Sequence, residues 1–228
     1  MLSCDNADQL VLLLDQPRYK PTERGRSATF PAVVARANWT SARLDTVRAL
    51  PGTEFYFATT MGYVELPLGK RALAASAGRV IVSSASNDTA VVFINGDSRV
   101  ADTLFVRGAR VGATLADWDR ATRDRIDMEH AADTRALISR VLKEAAPPKF
   151  LPLFDALLVD KYSSAVWARR FGRGKLAEWV RLNPVKGKPT GFVLPINVQV
   201  MDMSRTTLLG LRRNPDGTED VLLYKFQR

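Results

Sequence analysis

The feature that most constrains this chain is the segment 71–106. Four short apolar runs, 71–76, 79–84, 89–94 and 101–106, alternate there with Ala77-Gly78, Asn87-Asp88 and Asn95-Gly96. Each run has the length of a strand and is too short for a core-forming helix. Asn-Gly between β-branched runs favours a two-residue turn with positive φ, which matches the twist of paired strands. Consecutive hairpins make one four-stranded antiparallel sheet in meander order.

The same pattern returns after residue 150. Leu157, Leu158 and Val159 form an apolar run that stops at Asp160, and Lys161 to Ser164 turn the chain into Ala165, Val166 and Trp167. Runs at 179–182 and 191–194 follow, with Gly or Pro between them. Ala168-Arg169-Arg170 is echoed 43 positions later by Leu211-Arg212-Arg213, and Asp160 is echoed 42 positions later by Asp202. The last group holds three strands, 196–203, 206–213 and 220–226. Nearer the N-terminus, residues 9–16 read as a strand ended by Pro17. Strands at 28–37 and 41–48, a turn at Pro51-Gly52 and a further short run at 54–58 follow.

Between these groups, 112–148 changes character. Thr114-Leu115-Ala116-Asp117 resembles a capping box with Asp at its last position, and predicts a charged helix to about residue 127. A second helix over about 133–146 places Leu137, Ile138, Val141, Leu142 and Ala145 on one face, and Pro147-Pro148 ends it. The pair, spanning about 114–146, reads as a helical insertion that packs one apolar stripe on the sheets.

A repeat of about 40–45 residues with several short strands per unit is the period of a propeller blade. The predicted fold is therefore all-β, a single domain over 1–228. It holds about four radially arranged, antiparallel four-stranded blades. At 228 residues, 46% hydrophobic and 25% charged, the composition is that of an ordinary globular domain. No stretch of 18 apolar residues predicts a membrane span.

The segments LLVDKYSSAVWARRF, AEWVRLNPVKGKPTGFVLP and DVLLYKFQR resemble the last blades of bacterial six-bladed β-propeller proteins, a largely uncharacterised family. The helical insertion is similar to a feature of that family as well. The resemblance implies a ring of six blades where this chain supplies about four, hence an N-terminally truncated or divergent partial propeller. It also implies that the intact protein is exported to the periplasm. A propeller commonly closes by letting its last blade borrow a strand from the other terminus, and the three-stranded final group fits that expectation. An incomplete ring exposes a sheet edge, and such an edge invites self-association.

The residues exclude several chemistries. His130 is the only histidine and Cys4 the only cysteine, so sites with two imidazoles, structural zinc and intrachain disulfides are ruled out. No G-x-S-x-G is present for a nucleophile elbow. The acidic series Asp117, Asp119, Asp124, Asp127, Glu129 and Asp133 fails the EF-hand spacing, because Ala121 and Thr122 stand where a ligand and a glycine belong. Interleaved with Arg120, Arg123 and Arg125, it reads as a salt-bridged helix face. Gly172-Arg173-Gly174-Lys175 lacks the length and the Ser/Thr of a phosphate loop and reads as a hairpin loop. Trp39, Trp118, Trp167 and Trp179, with Tyr162 and Tyr224, read as packing between blades. The net charge of +9 is scattered, with no run of five like charges, so a basic solvated surface is favoured over nucleic-acid binding.

No pattern identifies a reaction or requires a cofactor. The leading expectation is a non-enzymatic binding or scaffold module that holds an unknown protein or small-molecule ligand, without nucleic acid. The alternative is a metal-dependent lactonase- or lyase-like propeller enzyme. Asp160 and Asp202, repeated at one blade position, are the candidates to line its central channel, against a plainer role as turn residues.

Overall fold

The computed structural model describes residues 2–6, 9–15, 24–38, 40–60, 62–78, 80–95, 100–106, 110–183, 190–204, 206–214 and 216–225. The described residues are all-β apart from one pair of helices. Its strands form four antiparallel sheets, each a meander in sequence order. The first sheet holds β1 (Leu2–Asn6), β2 (Gln9–Asp15), β3 (Arg26–Asn38), β4 (Arg43–Phe57) and β5 (Tyr63–Glu65). The second holds β6 (Ala72–Ala77), β7 (Val80–Ala85), β8 (Ala90–Ile94) and β9 (Val100–Phe105). Helices α1 (Leu115–Asp127) and α2 (Ala132–Glu144) follow. The third sheet holds β10 (Phe154–Val159), β11 (Val166–Arg170), β12 (Leu176–Arg181) and β13 (Gly191–Pro195). The fourth, among the described residues, has three strands, β14 (Val198–Met203), β15 (Thr207–Arg213) and β16 (Glu219–Lys225).

Side-chain alternation stacks the sheets in order. Ala72, Ala74, Ile81, Val92 and Ile94 of the second sheet pack on Val11, Ala32, Val34 and Leu50 of the first. Their strand neighbours Ala75, Val82 and Val91 point the other way, onto Phe154, Leu157, Val159, Val166 and Ala168 of the third. That sheet in turn sends Trp167, Trp179 and Leu194 onto Val198, Met203 and Leu208 of the fourth. The two middle sheets are thus apolar on both faces, which is why their strands read as nearly continuous apolar runs.

The helical pair follows the second sheet in sequence but docks on the first. Trp118, Ile138, Val141, Leu142 and Ala145 pack with Tyr56, Ala58, Val64, Leu66 and Leu68. All but one of the residues predicted to form the stripe of α2 are buried there, and Leu137 is half-buried against the same cluster. The end of α2 is tied down by Glu144, whose carboxylate accepts from the Thr59 amide (3.0 Å) and hydroxyl (2.9 Å).

Two expectations are corrected. Pro51-Gly52 is no turn: β4 runs through it from Arg43 to Phe57. Pro51 faces Pro31 where the β3–β4 register shifts, a bulge at which neither proline withdraws a required N–H. Gly52 is needed because a Cβ there would meet the Phe30 carbonyl oxygen at 2.2 Å. The N-terminal strand β1 pairs with β2 rather than completing the three-stranded fourth sheet.

The Asn95-Gly96 hairpin is present in its strands, since β8 and β9 pair antiparallel; Gly96 itself lies outside the described residues, as does Trp39.

Candidate functional site

The first strands of the second, third and fourth sheets meet around a cavity of about 660 Å³. Ala75 to Gly78 at the end of β6, Ala156 to Val159 of β10 and Gln199 to Asp202 of β14 line it, with Lys161, Arg169, Trp179 and Asn197. One wall is apolar, from Ala75, Leu157, Val159 and Trp179. Asn197, Gln199, Asp202, Lys161 and Arg169 add amides and charges to the lining.

Asp160 and Asp202, paired in the sequence reading by their repeat position, hold different places. Asp160 is buried and closes the β10–β11 turn. Its carboxylate accepts from the Tyr162 amide (2.8 Å) and from the Ser163 hydroxyl. Its amide donates to the Ala165 carbonyl and its carbonyl accepts from the Ser164 amide. This Asx-type turn carries Ser164 at φ +52, a left-handed conformation that local hydrogen bonding supports. Asn183 braces the same turn, accepting from the Val166 amide and donating to the Ser164 carbonyl, both at 2.9 Å. Asp160 does not line the cavity.

Asp202 does line it. Its Oδ2 accepts from Lys161 Nζ at 2.7 Å, joining the turn of the third sheet to the first strand of the fourth. The Asp202 carboxylate raises the Lys161 ammonium above its usual range. Both side chains are about half exposed, so the pair contributes little to stability. Its effect is positional, fixing one cation and one anion at the rim.

Arg169 forms the second charged element. It donates to Asp155 at 2.6 Å and lies over the Trp179 ring, 6.0 Å from its centroid. Trp179 also stacks on Phe192 at 5.8 Å. Trp167 and Trp179 are therefore packing residues between the third and fourth sheets, as the sequence predicted, and Trp118 fills the helix-bearing cluster. Tyr162, by contrast, is exposed.

A second concavity of about 410 Å³ lies between α1 and the β11–β12 loop. The capping box is present as predicted: Thr114 Oγ accepts from the Asp117 amide, and Asp117 accepts from the Thr114 amide. The Gly172–Lys175 loop delivers Arg173 to that cap. Arg173 donates to both Asp117 oxygens, at 2.8 and 2.7 Å, and to the Gly112 carbonyl at 2.8 Å. Arg120 reaches Asp117 from one helical turn away, at 2.9 Å. The loop anchors a helix and has its arginine committed to a carboxylate.

Other cations of the scattered basic set are likewise tied to carboxylates, among them Arg170 to Glu178 and Arg212 to Asp220. Among the described residues, no group of three or more His, Cys, Asp or Glu stands together as metal ligands. No helix there is long and apolar enough to cross a membrane.

Comparison with known proteins found no matching family model, no matching curated protein and no matching solved structure.

Proposed function

We propose that this protein is a non-enzymatic binding module built as a sector of a β-propeller. In this reading the sheets are blades, and the cavity bordered by their first strands holds a small polar ligand. The supporting observation is the position of the cavity. It is bordered by β6, β10 and β14, the first strand of each of three successive sheets, where a propeller has its axis. A few polar groups set among apolar ones are the usual composition of a small-molecule site.

The polar groups favour recognition over turnover. Asp202 is held by Lys161 and Arg169 by Asp155, so the side chains nearest the cavity form neutral pairs that orient donors and acceptors. Thermal-shift measurements with monosaccharides, short peptides and dicarboxylic acids test this. At least one class should stabilise the protein, and Asn197→Trp, which narrows the cavity, should abolish the shift. Failure of every class, or a shift that survives Asn197→Trp, overturns the reading.

A further inference from the structure

The fourth sheet differs from the two before it in what covers it. Its inner face is buried on the third sheet through Val198, Met203 and Leu208. Its outer face carries Leu209, Val221 and Leu223, all exposed, with Val221 at 72% and Leu223 at 63%. An antiparallel sheet with one face in water alternates apolar and polar residues. Here Val221, Leu222 and Leu223 run on without alternation. Among the described residues, the outermost strand, β16, pairs with β15 alone.

Among the outer edges of the four sheets, β16 is the longest at seven residues, against three in β5, six in β9 and five in β13. It also differs in charge. Glu219 opens it and Lys225 closes it, both exposed and on the face that carries Val221 and Leu223. An antiparallel partner centred on Leu222 would set Glu219 against a lysine and Val221 against a leucine. The strand is complementary to itself under a two-fold axis.

We infer that the protein forms a two-fold dimer in which β16 pairs antiparallel with the same strand of a second copy. The axis passes through Leu222, Glu219 faces Lys225 of the partner subunit, and Val221 faces Leu223 of the partner subunit. Two three-stranded sheets become one six-stranded sheet, and the unused backbone groups of both edges are satisfied. Such an isologous contact closes on itself and stops at two copies. A strand edge without the end charges would have no fixed register and would invite open-ended association.

The test is sedimentation equilibrium of the 228-residue chain and its charge variants. The wild type should sediment at about 50 kDa, twice the 25.2 kDa chain mass. Lys225→Glu sets two like-charged pairs across the axis and should weaken the dimer by about tenfold or more. Glu219→Lys should do the same. An equimolar mixture of the two single variants restores both opposite-charge pairs and should recover a dimer. The double exchange Glu219→Lys/Lys225→Glu should recover it within one chain. Circular dichroism of each variant confirms that the fold is kept. A monomeric wild type at high concentration, a dimer indifferent to Lys225→Glu, or single variants that fail to rescue each other overturns the inference.

Discussion

Arg173 grips Asp117 across 56 residues, its Nε and Nη2 on the two carboxylate oxygens at 2.8 and 2.7 Å. The Asp117 side chain is only 5% exposed, and it is also the N3 residue of the capping box of α1. The Arg173 guanidinium, then the Thr114 hydroxyl and amide, hold this carboxyl well below the usual carboxylate range. A depressed folded-state pKa contributes stability above the unfolded value of about 4, lost as pH falls from there towards the folded value. The protein should therefore lose stability on acidification below about pH 4, with Asp216 and Asp220, also lowered, adding to the slope. Asp117→Asn should be less stable than wild type at pH 7 and show a shallower fall between about pH 4 and pH 2. Urea unfolding across that range reads both, and an unchanged slope would refute the assignment.

The docking of the helical pair rests on α2. Leu142 is 2% exposed within the cluster that joins the helices to the first sheet. Leu142→Ala should cost about 2–5 kcal/mol, the range for emptying a tightly packed leucine site. Leu115, in the first turn of α1, is exposed, and Leu115→Ala should change stability by less than about 0.5 kcal/mol. Chemical denaturation of the pair checks the contrast; equal effects would mean that the stripe of α2 is not what holds the insertion.

At Gly52 the prediction concerns backbone approach. An added Cβ would sit 2.2 Å from the Phe30 carbonyl oxygen and 3.0 Å from the Ala32 Cβ. Gly52→Ala should destabilise by about 2 kcal/mol or more, since strand must move from strand. Gly112, where a Cβ meets nothing within 4 Å, is the control, and Gly112→Ala should fold with wild-type stability. Thermal unfolding of the two variants measures the difference.

Much of this architecture was legible because it is carried by local rules. Turn dipeptides such as Asn87-Asp88 and strand-length apolar runs gave the middle sheets. Thr114 and Asp117 gave the start of α1 through a contact three residues long. What escaped the sequence depends on distant partners. Pro51-Gly52 has the composition of a turn, and only Pro31 and Phe30 on the facing strand make it a bulge. The role of Arg173 in a helix cap 56 residues away has no local signal either; its flanking glycines pointed instead to a loop. The same holds for the candidate site. The repeat interval marked Asp160 and Asp202 as equivalents, yet spacing cannot tell a carboxylate folded into its own turn from one that reaches a neighbouring sheet. The cavity was invisible because its polar rim, Asn197, Gln199 and Lys161, comes from residue types that surfaces use everywhere.

The inequality between Asp160 and Asp202 yields the last prediction. Two aspartates that jointly held a metal would both present free oxygens to one point. Asp160 instead has its carboxylate engaged by Tyr162 and Ser163 within the turn, and Asp202 engages Lys161. Asp160→Ala should cost about 1–3 kcal/mol, because it removes the acceptor that the Tyr162 amide and the Ser163 hydroxyl share in the turn. Asp202→Ala breaks a half-exposed pair and should cost less than about 1 kcal/mol. Calcium should raise the melting temperature of the wild type no more than that of Asp160→Asn/Asp202→Asn. A calcium-dependent rise present in the wild type and lost in that double variant would instead place both carboxylates on a common ion. It would favour the metal-dependent enzyme reading over the binding module, since a polarised ligand oxygen at that point is what a lactonase- or lyase-like reaction needs.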